Sequence, residues 1–152
     1  MARGAFVNIE IATSASAEVV EALRHLIPQL SSSADLVAPE TVATIVADPA
    51  TTLFLARHDG AIVGALTLAV FTTPSGIRAW IEDVVVDGDA RGLGVGEALT
   101  RAAIDHAVAA GAKSVDLTSR PSREAANRLY QRVGFVQRET NVYRFALEEH
   151  QL

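Results

Sequence analysis

A glycine-rich connection between an apolar strand and a helix constrains the fold of this chain more than any other segment. Residues 81–86 read Ile-Glu-Asp-Val-Val-Val, and residues 91–96 read Arg-Gly-Leu-Gly-Val-Gly, where a helical pattern begins. Glycines at every second position allow a tight turn whose backbone N–H groups face one way. The helix that follows adds unpaired N–H donors and the positive end of its dipole. The segment therefore predicts an anion site suited to a phosphate or pyrophosphate.

Two familiar phosphate-binding motifs do not match this loop. A P-loop requires Lys and then Ser or Thr after its last glycine, but Gly96 is followed by Glu97. A dinucleotide fingerprint requires a glycine at position 97 and an early βαβ unit, whereas three predicted strands in series precede this loop. A glycine-rich helix entry without any ligand remains an alternative for the loop taken alone.

Hydropathy periodicity predicts one α/β (α+β) domain over residues 1–152, because this length suits a single hydrophobic core. Alternating or β-branched apolar runs predict strands, and 3.6-residue periodicity predicts helices. The predicted strands are 6–11, 51–57, 61–71, 77–86, 114–118 and 141–147. The predicted helices begin at Ser16, Pro39, Glu97 and Ser122, with Ser16 and Ser122 as caps and Gly111 and Gly134 as stops. This order predicts a mixed sheet with helices on both faces.

Composition excludes several kinds of site. The chain has no cysteine, which rules out a thiol nucleophile, an iron–sulfur cluster and a zinc site with sulfur ligands. No two of its four histidines have the spacing of a metal pair, so we expect no metal. The formal net charge of -5 argues against nucleic-acid binding. A local exception is the stretch 119–144, which has six arginines and two glutamates.

The N-terminal residues lack the apolar core of a signal peptide. The longest strongly apolar stretch, residues 61–71, is too short for a membrane span. We therefore expect a cytoplasmic protein that does not bind membranes.

A second motif lies on the helix that follows the next predicted strand. Asn127 and Tyr130 are three residues apart and share a helix face. Gly134-Phe135 follows them. Together with the Arg-x-x-Gly-x-Gly loop at 91–96, this pair resembles the GNAT superfamily of N-acetyltransferases over about residues 51–145. The resemblance implies a mixed, mostly antiparallel central sheet of six to seven strands flanked by about four helices, with acetyl-CoA as cosubstrate.

The same resemblance implies a set of coenzyme-binding residues. The glycine loop would hold the pyrophosphate, the backbone of the preceding strand would meet the thioester and its pantetheine arm, and Asn127 would hold that arm. Arginines near Asn127, such as Arg123, would meet phosphates. The implied residues are Val84, Val85, Val86, Arg91, Gly92, Leu93, Gly94, Val95, Gly96, Arg123 and Asn127.

Two side chains are candidates for proton transfer. GNAT enzymes are thought to transfer the acetyl group directly, and the absence of cysteine is compatible with this. Tyr130 is the candidate general acid, although a phenol with a pKa near ~10 protonates a thiolate near ~8.5 only with help from position and desolvation. Glu82 is the best carboxylate on the central strand for a general base. Asp83 points to the opposite face if that strand is regular, but a bulge would change this.

The leading hypothesis is therefore an acyltransferase that moves the acetyl group of acetyl-CoA to a primary amine of a small-molecule acceptor. A protein N-terminal or lysine acetyltransferase would share all the coenzyme residues. A coenzyme-A-binding sensor or regulatory domain without turnover is the alternative from another class. A homodimer is an expectation at the family level, with the strand at 141–147 or that at 77–86 as possible contacts.

Overall fold

A single five-stranded sheet organises residues 6–148, the part of the chain that the computed structural model describes. Its strands, in spatial order, are β1 (Asn8–Ile11), β2 (Thr51–His58), β3 (Ala61–Thr73), β4 (Gly76–Val86) and β5 (Val115–Asp116). The first four pair antiparallel, and β5 pairs parallel with β4. The prediction of a mixed, mostly antiparallel sheet is therefore confirmed.

Four helices flank the sheet: α1 (Ala17–Leu30), α2 (Pro39–Ala47), α3 (Val95–Ala109) and α4 (Glu124–Val133). The hydroxyl of Ser16 accepts a hydrogen bond from the Val19 N–H at 3.3 Å, which confirms the predicted cap of α1. The predicted Ser122 cap of α4 is wrong. The Arg123 N–H bonds to the Arg120 carbonyl in a turn, so the helix begins two residues after Ser122, at Glu124.

The sheet has a hydrophobic core on each face. On one face, α1 and α2 pack through residues such as Leu26 against Leu55 of β2. On the other, α3 packs through residues such as Leu99 against Leu66 and Leu68 of β3. Each fully buried leucine contributes about 1.5–3 kcal/mol, so these contacts fix the two layers on the sheet.

The prediction of six to seven strands is wrong, because the sheet formed by residues 6–148 has five. Residues 141–147, predicted as the last strand, contain no strand, and Val142 and Tyr143 are exposed. The predicted strand at 114–118 shortens to the two residues of β5. Alternation describes a segment that can form a strand, but the strand forms only where a sheet edge accepts its backbone hydrogen bonds.

A β-bulge interrupts β4 next to the glycine loop. Ala65 faces Val85 and Thr67 faces Glu82, so Leu66 alone faces two residues of β4. One of them, Asp83, has a φ of 51°, a left-handed conformation that aspartate tolerates better than most residues. Because of the extra residue, the alternation of side chains between the two faces of the sheet shifts by one residue after the bulge. Ile81, Val84 and Val86 belong to the α3 face, whereas Val85 packs under α1.

Candidate active site

The loop at residues 91–96 forms an open cradle of backbone donors at the start of α3. Gly94 precedes the helix with a φ of 76°, and the first helical bond runs from the Ala98 N–H to the Gly94 carbonyl. The N–H groups of residues 95–97 therefore have no acceptor within the helix. A Cβ added at Gly92 or Gly94 would meet no heavy atom within 4 Å. Open space bordered by N–H donors at the positive end of a helix fits a pyrophosphate.

Two close contacts hold this end of α3 in place. A Cβ added at Gly64 of β3 would lie 2.8 Å from Val95 Cγ1 and 3.1 Å from the Val85 carbonyl oxygen, so the helix start packs directly on the sheet backbone. A Cβ added at Gly96 would lie 3.0 Å from Leu129 Cδ1 of α4. Val95 is buried, so it can offer a ligand only its backbone. Gly96 serves the approach of α4 to the first turn of α3.

Side chains of α1 brace the segment that leads into the loop. His25 Nε2 lies 3.0 Å from Asp87 Oδ2, and Gln29 Oε1 accepts the Gly88 N–H at 3.0 Å. The Asp89 N–H donates to the other Asp87 oxygen at 3.2 Å. This backbone bond and the contact with His25 hold the pKa of Asp87 below its ordinary value, although partial burial opposes them.

These bracing residues were missed from the sequence. Asp87-Gly88-Asp89 indicates a turn. Nothing local to it indicates a contact with a helix about sixty residues earlier in the chain.

Helix α4, which carries Asn127 and Tyr130, packs against the start of α3 through the contact of Leu129 with Gly96. The Asn127 amide donates to the Arg120 carbonyl at 2.9 Å, so its N–H closes the turn before the helix and its Oδ1 remains as an acceptor. The guanidinium of Arg123 donates to the Leu30 carbonyl at the end of α1, at 3.3 Å. Arg123 thus links α4 to α1.

Tyr130 is half-buried, and its ring packs edge-on against Phe135 with centroids 5.8 Å apart. Gly134 ends the helix with a φ of 123°, and the Phe135 N–H bonds back to the Tyr130 carbonyl. Burial raises the pKa of Tyr130, and the nearby positive charge of Arg123 offsets part of this rise. The hydroxyl therefore stays protonated at neutral pH, as a general acid requires.

Glu82 and Asp83 are both exposed on β4, just before Val84. The indole N–H of Trp80 donates to Glu82 Oε1 at 2.7 Å, which fixes the direction of this carboxylate. The described part of β5 pairs with β4 only at Ala79 and Trp80, so from Glu82 onward that side of β4 carries no neighbouring strand. An extended amide chain could bind there as a strand does.

Within residues 6–148, no group of three His, Asp or Glu side chains is placed to hold a metal ion. The same residues contain no helix that is both long and apolar enough to cross a membrane.

Comparison with known families gives one clear match. The model of the family described as "Acetyltransferase (GNAT) family" matches residues 19–135, more than half of the chain. No curated protein sequence matches the chain.

Solved structures share the architecture. A putative acetyltransferase from Agrobacterium tumefaciens str. C58 is 27% identical, with a TM-score of 0.80 over 91% of this chain and 99% of its own. A transcriptional regulator from Bacillus halodurans C-125 is 25% identical, with a TM-score of 0.80 over 93% of this chain and 100% of its own. An aminoglycoside N-acetyltransferase in complex with CoA is 18% identical, with a TM-score of 0.77 over 97% of this chain and 99% of its own, a likeness of fold alone.

Proposed function

The chain belongs to the GNAT family of acetyltransferases and is an acyltransferase, and on that premise we propose that it transfers the acetyl group of acetyl-CoA directly to a primary amine of a small-molecule acceptor. The proposal is supported mainly by one arrangement, in which Leu129 contacts Gly96, so that α4, the helix that carries Tyr130, packs against the first turn of α3, where the cradle of N–H donors lies. A loop with free N–H donors and a protonated phenol on the neighbouring helix suit transfer from a coenzyme thioester.

Three parts of the chain would hold acetyl-CoA. The N–H groups of the loop at 91–96 would bind its pyrophosphate. The free side of β4 at Val84–Val86 would pair with the amides of its pantetheine arm, and Asn127 Oδ1 would accept from that arm. When bound, acetyl-CoA supplies an activated acetyl group on sulfur.

The chain's own side chains would then move protons. Glu82 accepts, directly or through water, the proton that the acceptor ammonium must lose before its nitrogen has a lone pair. That nitrogen forms the new C–N bond as the C–S bond breaks. Tyr130 donates its proton to the departing sulfur and is reprotonated, directly or through water, by the second proton that the nitrogen loses as it becomes an amide. N–H groups of β4 stabilise the negative charge on the carbonyl oxygen. The chain has no cysteine that could carry the acetyl group as a thioester. This is compatible with direct transfer, without an acyl-enzyme.

The test is thioester consumption, measured against a panel of small amines and peptides, with Tyr130→Phe as the variant. We expect turnover with a small amine, and we expect Tyr130→Phe to lose about 10²–10⁴ of kcat, the usual contribution of a general acid. Its affinity for acetyl-CoA should stay within about threefold of the parent. Tyr143→Phe is the matched control, because Tyr143 is 89% exposed and lies outside the candidate site.

Each other outcome points elsewhere. Turnover with peptides alone would favour a protein N-terminal or lysine acetyltransferase. Tight acetyl-CoA binding without turnover of any amine would favour a coenzyme-A-binding sensor. Full activity of Tyr130→Phe would show that Tyr130 is not the acid.

A further inference from the structure

The sheet face that carries Glu82 is only partly covered by helices. In the strand register, Trp80 pairs with Ala69 and Arg78 pairs with Phe71. These four residues lie on one face of the sheet, and Ala79 and Ile81 lie on the other. Ala79 and Ile81 are in the core under α3. Helices α1 and α2 cover the other end of the Trp80 face, near Val85 and Leu55. Phe71 and Arg78 remain exposed.

A cavity of about 270 Å³ lies on this uncovered part. Trp80 and Phe71 are its aromatic lining residues, and Asp116, whose Oδ2 accepts a hydrogen bond from Ser114 Oγ at 3.3 Å, is its acidic one. Asp116 is the register partner of Trp80 across the β4–β5 pair. Arg78 also lines the cavity, but its guanidinium donates to Ser75 Oγ at 3.2 Å, in the turn that joins β3 to β4. The volume is below the range of about 300–1,000 Å³ that drug-sized ligands occupy, so it suits a single ring with a short arm.

Trp80 connects this cavity to Glu82. Its ring lines the cavity, while its N–H holds Glu82 Oε1 at 2.7 Å. Hydrogen bonds to an ionised acceptor are the short and strong ones. Residues two apart on a strand share a face. A ligand stacked on the indole can therefore extend along β4 toward the Glu82 carboxylate and the bulge beyond it.

We propose that this cavity is the acceptor site and that Trp80 determines its specificity. A primary amine that carries a ring stacks on the indole, directs its ammonium group to Glu82, and places a hydrogen-bond donor or a second positive charge at Asp116. An indole face attracts both rings and cations. The carboxylates of Asp116 in the lining and of Glu82 beside Trp80 favour a cationic ligand, against the one guanidinium of Arg78 in the lining. The inference rests on the proposed function, since it assigns the acceptor class of the same site.

Binding is tested without turnover, because Trp80 is the only tryptophan of the chain and its fluorescence reports directly on the cavity. The probes are tyramine and glucosamine, which distinguish an aromatic ring from a sugar ring, and ethanolamine, which has no ring. We expect a saturable change with a ring amine and none with ethanolamine. Asp116→Asn should weaken ring-amine binding about tenfold, or about 1.4 kcal/mol. The matched control Asp105→Asn alters an exposed aspartate of α3 and should leave binding unchanged.

Two substitutions of Trp80 separate its roles when the turned-over amine is assayed. Trp80→Phe keeps a ring but removes the N–H donor, so kcat should fall about tenfold while the KM for the amine stays within about threefold. Trp80→Leu removes the ring as well, so its KM for the amine should be about tenfold higher than that of Trp80→Phe. Thermal unfolding of both variants shows whether the fold is retained.

The outcomes separate this inference from the proposed function. Turnover of ring amines that neither Trp80 substitution alters would overturn the inference and leave the acetyltransferase proposal standing. No thioester consumption with any amine would overturn the acetyltransferase proposal, while the fluorescence titration would still test the cavity. The absence of a saturable change with both ring amines would overturn the acceptor assignment.

Discussion

At the scale of single residues, backbone conformation constrains the coenzyme loop most sharply. Gly94 has a φ of 76°, and Gly60, in the turn between β2 and β3, has a φ of 80°. An added Cβ meets no atom within 4 Å at either position. At each position, an added side chain would therefore destabilise the fold only through the strain of the left-handed conformation, by about 1–2 kcal/mol. The two glycines differ in what surrounds them, since only Gly94 borders the N–H cradle.

This pair gives a controlled test of the loop. Gly94→Ala and Gly60→Ala should each lower the free energy of unfolding by about 1–2 kcal/mol. Only Gly94→Ala should also weaken acetyl-CoA binding, by about tenfold or more, because its Cβ enters the space next to the donors. Denaturant unfolding and calorimetric titration with acetyl-CoA measure the two effects. Equal coenzyme affinity in the two variants would contradict the assignment of the loop.

At the scale of elements, the last two turns of α1 contact both halves of the candidate site. His25 and Gln29 bond to Asp87 and Gly88 before the glycine loop. The Leu30 carbonyl accepts from Arg123 at the start of α4. One helix therefore fixes the distance between the cradle and the helix that carries Tyr130. We infer that α1 positions the candidate coenzyme site.

Removing this brace should loosen the loop more than the fold. His25 and Gln29 make their hydrogen bonds at the surface, so the double variant His25→Ala/Gln29→Ala should lower the free energy of unfolding by no more than about 1–2 kcal/mol. The KM for acetyl-CoA should rise about three- to tenfold, with kcat nearly unchanged.

Arg24→Gln is the control for this prediction, because it removes another α1 bond, from Arg24 Nε to the Val37 carbonyl at 2.9 Å, away from the loop. Steady-state kinetics and thermal unfolding of both variants decide the question. An equal rise of KM in the control would mean that α1 acts only through general stability.

At the scale of the whole molecule, the segment after α4 exposes an unusual amount of apolar surface. Val136, Val142, Tyr143 and Leu147 are 71–89% exposed. Several large exposed apolar side chains in one segment are typical of an interface. The same segment has the alternating pattern of a strand but is not one of the five strands that residues 6–148 form. We propose that a second copy of the chain covers it.

Self-association is then expected in solution. Gel filtration with light scattering should give a dimer for the parent chain. The double variant Val142→Ser/Leu147→Ser should shift the equilibrium toward monomer and still show a cooperative thermal unfolding transition. The control Val108→Ser removes an apolar side chain of α3 that is 69% exposed, close to the 72% of Val142, and should leave the dimer intact. A monomeric parent chain at high micromolar concentration would contradict the proposal.

The local elements follow from the sequence, because the forces that define them act over a few residues. Ser16 caps α1, Pro39 begins α2, and Asp59 and Gly60 adopt the positive φ values of a tight hairpin turn. The strand, glycine loop and helix from Ile81 into α3 appear as predicted. The one difference is that α3 begins at Val95, two residues before the predicted Glu97. The loop and the pair on α4 are therefore recognisable as candidates from their residue types and spacing alone. Their roles toward acetyl-CoA stay predictions.

Only the tertiary structure decided which segments meet. Alternation predicted a strand at 141–147, but pairing needs a free sheet edge in the right register, which no local pattern specifies. The bulge at Asp83 arises from how β4 pairs with β3. The contact of His25 with Asp87 and the shared cavity of Trp80 and Asp116 join residues far apart in the chain. Propensity and capping act within a few residues, whereas these contacts depend on the packing of whole elements against one sheet.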